Sequence, residues 1–219
     1  FRRVLFRSGG VKLLQKLAVL LNIPVVTCWN SIDLIATDDN YYCGRGGIMG
    51  DRAGNFAVQN SDLLICIGTR LNIYQVGYNV KTWAREAYTV VVDIDSEELK
   101  KDTIRADLPI CADASKFMEM LLEKSKKIKI KSRKNWLYQC SQWKQKYPVV
   151  SRDHYKDKQA VNIYAFMDFL SKHLPENSLT VVANGSASVV GSQSYYINTG
   201  SRFIMNCGLS SMGDRKSVV

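Results

Sequence analysis

Ser61-Asp-Leu-Leu-Ile-Cys-Ile-Gly-Thr-Arg70 and Val90-Val-Val-Asp-Ile-Asp95 are the two stretches that decide the fold of this 219-residue chain. Each is a short apolar run that ends in polar residues, which is the pattern of a strand buried on both faces of a parallel sheet. Helical spacing of apolar residues appears around them, as in Val11-Lys-Leu-Leu-Gln-Lys-Leu-Ala-Val-Leu-Leu21. Strands that alternate with helices predict an α/β fold with a parallel sheet flanked by helices.

The same patterns divide the chain into two units and a connection. Residues 9–125 are predicted to form a central Rossmann-like domain, with helices over 11–21, 51–58, 79–87 and 115–124 and strands over 23–28, 62–67, 88–94 and 109–112. Residues 126–160 are predicted to be a basic linker that carries a helix over 135–146. Residues 161–213 are predicted to begin a second α/β domain, with a helix over 162–174, strands over 178–183 and 202–206, and a strand-to-helix turn at 184–188.

Both ends of the chain are predicted to be foreign to the native protein. Back-translation of residues 1–8 reproduces the end of a common sequencing adapter, and residues 214–219 match the start of the opposite adapter in the same reading frame. Residues of this kind do not contribute to the native fold. Residues 9–213 are therefore predicted to be an insert truncated at both ends.

The charge of the chain is concentrated in one block. The chain has 30 Lys and Arg against 20 Asp and Glu, and seven of the basic residues lie in 124–134. No aromatic side chains alternate with these charges, so they offer nucleic-acid bases no stacking surface, and the block is interpreted as a solvated linker. No apolar run reaches the length of a membrane span. The sequence therefore predicts neither a nucleic-acid partner nor a membrane partner.

Neither a metal site nor a catalytic pair is predicted within the chain. The six cysteines are scattered, and the two histidines, His154 and His173, lie in charged surroundings typical of a surface. Zinc sites need clustered ligands. Cys28, Cys66 and Cys111 lie in apolar stretches where a free thiol acts as a small hydrophobe, and unpaired cysteines suit a reducing cytoplasm.

Three features predict a nucleotide crevice at the carboxyl ends of the strands. The turn Gly44-Arg-Gly-Gly-Ile-Met-Gly50 allows close backbone approach at Gly47 and Gly50, and a helix N-terminus follows it. Arg70 could bind a phosphate or carboxylate, and Asp93 and Asp95 could accept ribose hydroxyls. The alternatives are a structural turn, a salt bridge at the rim and a helix cap. The turn is not the dinucleotide fingerprint, since Met49 replaces its third glycine and no obvious strand precedes it.

Taken in order, these motifs resemble the thiamine-diphosphate-dependent acetolactate synthase-like enzymes. Gly46-Gly-Ile-Met-Gly50, the 60–72 stretch and the 91–101 stretch are similar to the middle domain of that family. Gly185-Ser-Ala-Ser188 and Cys207-Gly-Leu-Ser-Ser-Met-Gly213 are similar to the opening of its pyrophosphate-binding domain. The resemblance implies a fragment of a carboligase or decarboxylase that acts on a small 2-oxo acid.

The resemblance also implies a cofactor site. Thiamine diphosphate would be held at a turn by Asn184, Gly185 and Ser186. Ser210, Ser211 and Met212 would lie beside its thiamine ring. The catalytic glutamate and the magnesium motif of the family would lie outside this chain, so the fragment alone is expected to be inactive. The active site of the family forms between subunits, which implies a homodimer or homotetramer for the intact protein.

FAD is a further cofactor that the resemblance brings in, because acetolactate synthases hold it on the middle domain. Residues 72–79 depart from the FAD-binding pattern and are more similar to relatives in surface-polysaccharide pathways. The alternative hypothesis is a non-catalytic Rossmann-like module that binds NAD, FAD or ADP.

Overall fold

A computed structural model describes residues 9–103, 106–156 and 159–205. Its helices are α1 (Val11–Leu21), α2 (Arg52–Gln59), α3 (Ile73–Val76), α4 (Ala114–Ser125), α5 (Lys134–Lys146), α6 (Ile163–His173) and α7 (Ser186–Ser194). Its strands are β1 (Val25–Thr27), β2 (Tyr42–Arg45), β3 (Leu63–Ile67), β4 (Tyr88–Asp93), β5 (Leu108–Cys111), β6 (Leu179–Val182) and β7 (Arg202–Met205). Within the described ranges, no helix combines the length and apolarity needed to cross a bilayer.

Helix α1 begins the central unit as its amphipathic pattern predicts. Its buried face presents Leu17 and Ala18, and Leu17 packs with Met118 of α4 in one apolar cluster. The helix ends where Asn22 adopts the left-handed conformation, with φ at 55°, and donates its N–H to the carbonyls of the last turn. Asparagine tolerates this conformation better than most residues, so the local sequence explains the stop.

The strands pair in parallel, which confirms the α/β prediction. Strand β4 lies between β3 and β5, in register from Leu63 opposite Tyr88, and β5 is the edge strand that the sequence predicted. Strand β1 pairs with β2 in a separate two-stranded sheet. Residues of β1 and β3 line the same cavity of about 840 Å³. The central unit therefore contains two hydrogen-bonded groups of strands that face each other across this cavity.

Two local predictions were wrong. Strand β2 directly precedes the glycine turn, although the sequence showed no obvious strand there, because β2 is short and includes Gly44 and the charged Arg45. Residues 79–87 do not form a helix beyond one 3-10 turn at Val80–Thr82. Trp83 is extended and Ala84 has φ at 45°, so the chain leaves the helical region before a second turn can form.

The linker region carries helix α5, which packs on the central unit through aromatic side chains. Trp143 makes edge contacts with Phe56 of α2 and with Trp136, at ring-centroid distances of 5.7 and 5.5 Å. The basic residues of 124–134 are all exposed, as a solvated segment requires. The aromatic face of α5 therefore attaches the linker to the central unit, and Lys144 of the same helix adds hydrogen bonds to it.

The second unit pairs β6 with β7 in parallel and packs α6 and α7 against them. Its core contains Met167, Tyr195 and Phe203, and it also takes in Ile32, which belongs to the 3-10 segment Trp29–Leu34 of the central unit. The two units consequently share one apolar cluster.

Two buried polar groups join the units at this junction. The Arg45 guanidinium donates to the carbonyls of Ser192, Gln193 and Tyr195 at the end of α7, at 3.0, 2.6 and 2.5 Å. The fully buried Asp33 carboxylate accepts from Arg202 Nε at 3.1 Å and from the following backbone N–H at 2.9 Å. A cation at a helix C-terminus is favourable because it satisfies carbonyls that have no partner within the helix.

Candidate functional site

The glycine turn after β2 is closely approached by backbone of the same chain. Ile48 donates its N–H to the carbonyl of Tyr74 at 2.8 Å, and Asn55 hydrogen bonds to both the N–H and the carbonyl of Gly47. A Cβ on Gly47 would lie 2.2 Å from the Tyr74 oxygen, and one on Gly50 would lie 2.2 Å from a carbonyl of β2. Gly47 thus allows the turn to pack against the segment that follows β3, and Gly50 allows it to pack against the end of β2.

Asp51 occupies the N-terminus of α2, as the sequence predicted. Its carboxylate accepts from the N–H of Gly54 at 2.6 Å and from the N–H of Arg45 at 2.8 Å. Burial of this carboxyl raises its pKa, and the two backbone N–H donors oppose that shift. The donors that could receive a phosphate at this helix are therefore already engaged by an acidic side chain.

Arg70 forms the rim salt bridge that the sequence left open as an alternative. Its Nε donates to Glu98 Oε1 at 2.9 Å, and the second oxygen of Glu98 pairs with Lys101. Burial alone would raise the pKa of Glu98, but the Arg70 and Lys101 partners together hold that pKa below its usual value. Glu98 was missed in the sequence, since one glutamate in a charged stretch carries no sign of its distant partner.

Asp93 and Asp95 form a turn at the end of β4. Asp93 Oδ1 accepts from the N–H of Asp95 at 3.0 Å, and Asp95 Oδ1 accepts from the N–H of Glu97 at 3.0 Å. Both carboxylates, after Glu98, help to raise the pKa of Arg70, so they belong to the same electrostatic environment. Neither lines the cavity between β1 and β3, whereas Arg70 does.

The mouth of that cavity carries polar and aromatic side chains. Thr69, Arg70 and Asn72 line it after β3, and the rings of Trp29 and Tyr74 stack there with centroids 6.1 Å apart. Most of its remaining lining is apolar, with Leu17, Val25 and Ile65 among the residues that form it. A volume of about 840 Å³ lies within the range of small-molecule sites. The two aromatic residues were not identified from the sequence, because isolated aromatics give no local signal of a ligand.

The second candidate site lies at the start of α7. Gly185 has φ at 86° and precedes the helix, and a Cβ placed there would meet no atom within 4 Å. Ser186 is exposed, and the Gly185 carbonyl accepts from the N–H groups of Ser188 and Val189 at 3.1 and 3.0 Å. The predicted strand-to-helix turn is therefore present and opens onto free space. Asn184 lies in this turn, whereas Ser210, Ser211 and Met212 lie outside the described residues.

The histidines take structural positions. His154 Nδ1 accepts from the N–H of Ser151 at 3.0 Å, and its ring stacks on Tyr164. His173 stacks on Phe169 at the exposed end of α6. Among the residues that the structure describes, no group of three or more His, Cys, Asp or Glu side chains could hold a metal ion.

Three sequence similarities bear on this geometry. Residues 5–121 match the family described as thiamine pyrophosphate enzyme, central domain. The probable acetolactate synthase large subunit of Methanocaldococcus jannaschii is 35% identical over 59% of this chain and 22% of its own length. That of Methanococcus aeolicus is 27% identical over 97% of this chain and 38% of its own length.

A bacterial relative shows a similar identity and coverage. Acetolactate synthase isozyme 2 large subunit of Escherichia coli is 26% identical over 96% of this chain and 37% of its own length. The chain thus spans less than two fifths of the length of these relatives. Because the family match covers more than half of the chain, the chain belongs to the thiamine pyrophosphate enzymes and residues 5–121 correspond to their central domain.

Proposed function

We propose that the intact protein is a thiamine-diphosphate-dependent carboligase or decarboxylase acting on a small 2-oxo acid. The observation that carries this proposal is the open turn at Gly185, at the end of a parallel strand and the start of a helix, in a chain that aligns along nearly its whole length with acetolactate synthase subunits. The carboxyl ends of β6 and β7 meet at one edge of their sheet, which is where parallel α/β units bind ligands.

The residues of this turn fit a diphosphate group. Asn184, Gly185 and Ser186 are small or neutral, and residues 184–188 include no carboxylate that would repel an anion. A helix N-terminus favours phosphate through its backbone N–H groups and the helix dipole. We therefore assign the diphosphate to this turn and the thiamine ring to Ser210, Ser211 and Met212. Bound thiamine diphosphate would supply an ylid nucleophile and an electron sink.

Several features of the whole enzyme belong to the same proposal. We propose that Mg²⁺ accompanies the diphosphate, that the intact protein is a cytoplasmic homodimer or homotetramer, and that this chain alone is inactive. Exposed apolar side chains on the second unit support the need for further protein surface, since Phe166 and Phe169 of α6 are 49% and 56% exposed and Leu179 of β6 is 63% exposed. Patches of this kind mark surfaces that other protein covers.

The test is cofactor binding by the protein with complete flanking domains. Replacement Ser186→Glu puts a negative charge at the proposed diphosphate site and should weaken thiamine diphosphate binding by at least about tenfold, as repulsion at a helix N-terminal anion site requires. Ser96→Glu, at an exposed serine after β4, is the matched control. Calorimetry in the presence of Mg²⁺ measures both, and equal affinities for the two variants would remove the assignment.

A nucleotide on the central domain is a second candidate function. The stacked Trp29 and Tyr74 rings at the cavity mouth could flank a planar base, and Arg70 and Lys101 also line the cavity. Calorimetry with FAD, NAD and ADP separates the candidates, and Arg70→Ala should weaken whichever nucleotide binds. Absence of binding by all three would reject this function while leaving the thiamine diphosphate assignment intact.

A further inference from the structure

Two buried cysteines from distant parts of the chain meet between β2 and α5. Cys43 is 1% exposed and Cys140 is 2% exposed, and both belong to one apolar cluster with Ala57 of α2. Trp136 and Trp143 of α5 pack against the same cluster. The two side chains lie close enough to shift each other's pKa. The fold therefore holds one sulfur of the central unit against one sulfur of the linker helix.

A lysine lies beside this pair of thiols. Lys144 follows Cys140 by one helical turn, and its ammonium donates to the carbonyl of Tyr42 at 2.9 Å and to that of Thr37 at 3.2 Å. Tyr42 directly precedes Cys43 in β2. The positive charge of Lys144 lowers the pKa of Cys43, although larger effects raise it. The thiolate is the nucleophilic form of cysteine.

The two sulfurs differ in their pKa. The interaction with Cys140 raises the pKa of Cys43, and burial raises it further. The same interaction lowers the pKa of Cys140, against the opposing effect of burial. Cys140 is therefore the more acidic sulfur of the pair, and the Cys43 thiol donates to the carbonyl of Ala53 at 3.7 Å.

The other described cysteines have different surroundings. Burial raises the pKa of Cys28 and of Cys66 to about 12, which keeps these thiols protonated. Cys111 is exposed and its thiol contacts the carbonyl of Ile94 at 3.6 Å. A lowered pKa and a partner thiol in contact are thus combined at Cys140, whereas Cys28 and Cys66 have raised pKa values.

We propose that Cys43 and Cys140 are a modification site, at which hydrogen peroxide or another small hydroperoxide closes a reversible disulfide. The Cys140 thiolate attacks one peroxide oxygen, the O–O bond breaks, and hydroxide leaves with the bonding electron pair. The resulting sulfenic acid is attacked by the Cys43 sulfur, which forms the S–S bond and releases water. Overall, two thiols are oxidised by two electrons and one hydrogen peroxide is reduced to two waters.

The disulfide would tie the linker helix to the central unit. Cys43 is two residues before Arg45, whose guanidinium holds the end of α7 in the second unit. A bond between β2 and α5 therefore restrains the strand on which this contact between the units depends.

The test is peptide mapping of the full chain after oxidation. Folded protein is treated with hydrogen peroxide, remaining thiols are blocked by alkylation under denaturing conditions, and the digest is analysed by mass spectrometry without reduction. The expected product is one cross-linked peptide pair that contains Cys43 and Cys140 and separates on treatment with dithiothreitol. Oxidation in concentrated urea should lower the yield of this cross-link relative to other cysteine pairs by at least about tenfold, because its formation depends on the folded contact.

Variants complete the experiment. Cys140→Ala should abolish the cross-link and leave Cys43 alkylatable after unfolding, while Cys111→Ser, at the exposed cysteine, should leave the cross-link unchanged. Circular dichroism checks that both variants fold. If Cys140→Ala does not fold, the peptide map of the oxidised wild-type protein still tests the proposal. The proposal would be overturned if Cys43 and Cys140 were recovered as free thiols in molecules in which Cys111 is already oxidised. It would also be overturned if the cross-link formed equally well in urea.

Discussion

Replacement of Arg45 by methionine should weaken the contact between the two units and lower the free energy of unfolding. Arg45 is 5% exposed and its guanidinium donates three hydrogen bonds to carbonyls at the end of α7. Methionine keeps much of the side-chain length and apolar stem but has no donor. The carbonyls of Ser192, Gln193 and Tyr195 would then lose these hydrogen bonds in a buried place.

The size of the effect follows from the burial of these groups. A hydrogen bond to a charged group contributes about 1.5–3 kcal/mol, and such contributions within one network do not add. Buried acceptors left without a donor cost about 1–3 kcal/mol, so Arg45→Met should lower the free energy of unfolding by about 3 kcal/mol. Arg45→Lys retains the charge but not the planar guanidinium with its several N–H donors. It should lower the free energy of unfolding by about half as much as Arg45→Met.

Urea unfolding followed by tryptophan fluorescence and circular dichroism measures these changes. Arg85→Met is the matched control, because Arg85 has a 63% exposed side chain at a surface ion pair, and surface changes of this kind stay within about 0.5 kcal/mol. Hydrogen exchange should show the largest loss of protection in α7. If Arg45→Met and Arg85→Met unfold at the same urea concentration, the contact between Arg45 and α7 does not stabilise the protein as argued.

Three further predictions concern single sites. Gly47→Ala should destabilise the chain by about 2–4 kcal/mol in chemical denaturation, whereas Gly77→Ala, also at positive φ but in open space, should cost about 1 kcal/mol; equal losses would contradict the close contact at Gly47. Glu98→Gln should reduce stability above pH 4.5, because the folded pKa of Glu98 lies below the ordinary value of 4.5. The ionised form therefore stabilises the fold above that pH, and the difference from wild type should shrink as pH falls through the folded pKa; a pH-independent difference would argue against this ion pair. Replacing both Phe166 and Phe169 by glutamine should reduce aggregation in light scattering with little change in the urea midpoint, and unchanged scattering would show that this exposed face does not drive association.

The local elements were predictable because each is specified by neighbouring residues. The helical spacing of 11–21, the capping positions of Asp51 and Asn162, and the apolar runs of β3 and β4 all act within a few residues. Strand β2 was missed because four residues that include Gly44 and Arg45 do not form an apolar run. Its strand conformation is supported by pairing with β1 and by packing beneath α2, which no short window of sequence contains.

The candidate sites also divide into features that were visible in the sequence and features that only the structure showed. The turn at Gly185 was visible as a short glycine and serine motif, and the structure places it at the start of a helix. Glu98, the partner of Arg70, was not visible, since opposite charges separated by many residues meet only when strands and loops are assembled. The structure also shows that Asp93 accepts from the N–H of Asp95 and Asp95 from the N–H of Glu97, and that neither carboxylate lines the cavity.

The sequence by itself determined the alternation of helices and strands, the parallel α/β class and the resemblance to thiamine-diphosphate enzymes, because these depend on local periodicity and short ordered motifs. Only the tertiary structure decided that Arg45 caps α7, that Asp33 holds the start of β7, and that Cys43 meets Cys140. These are contacts between residues about a hundred or more positions apart. They exist because burial makes an unpaired charge or carbonyl costly, and that cost is defined only once the chain has packed.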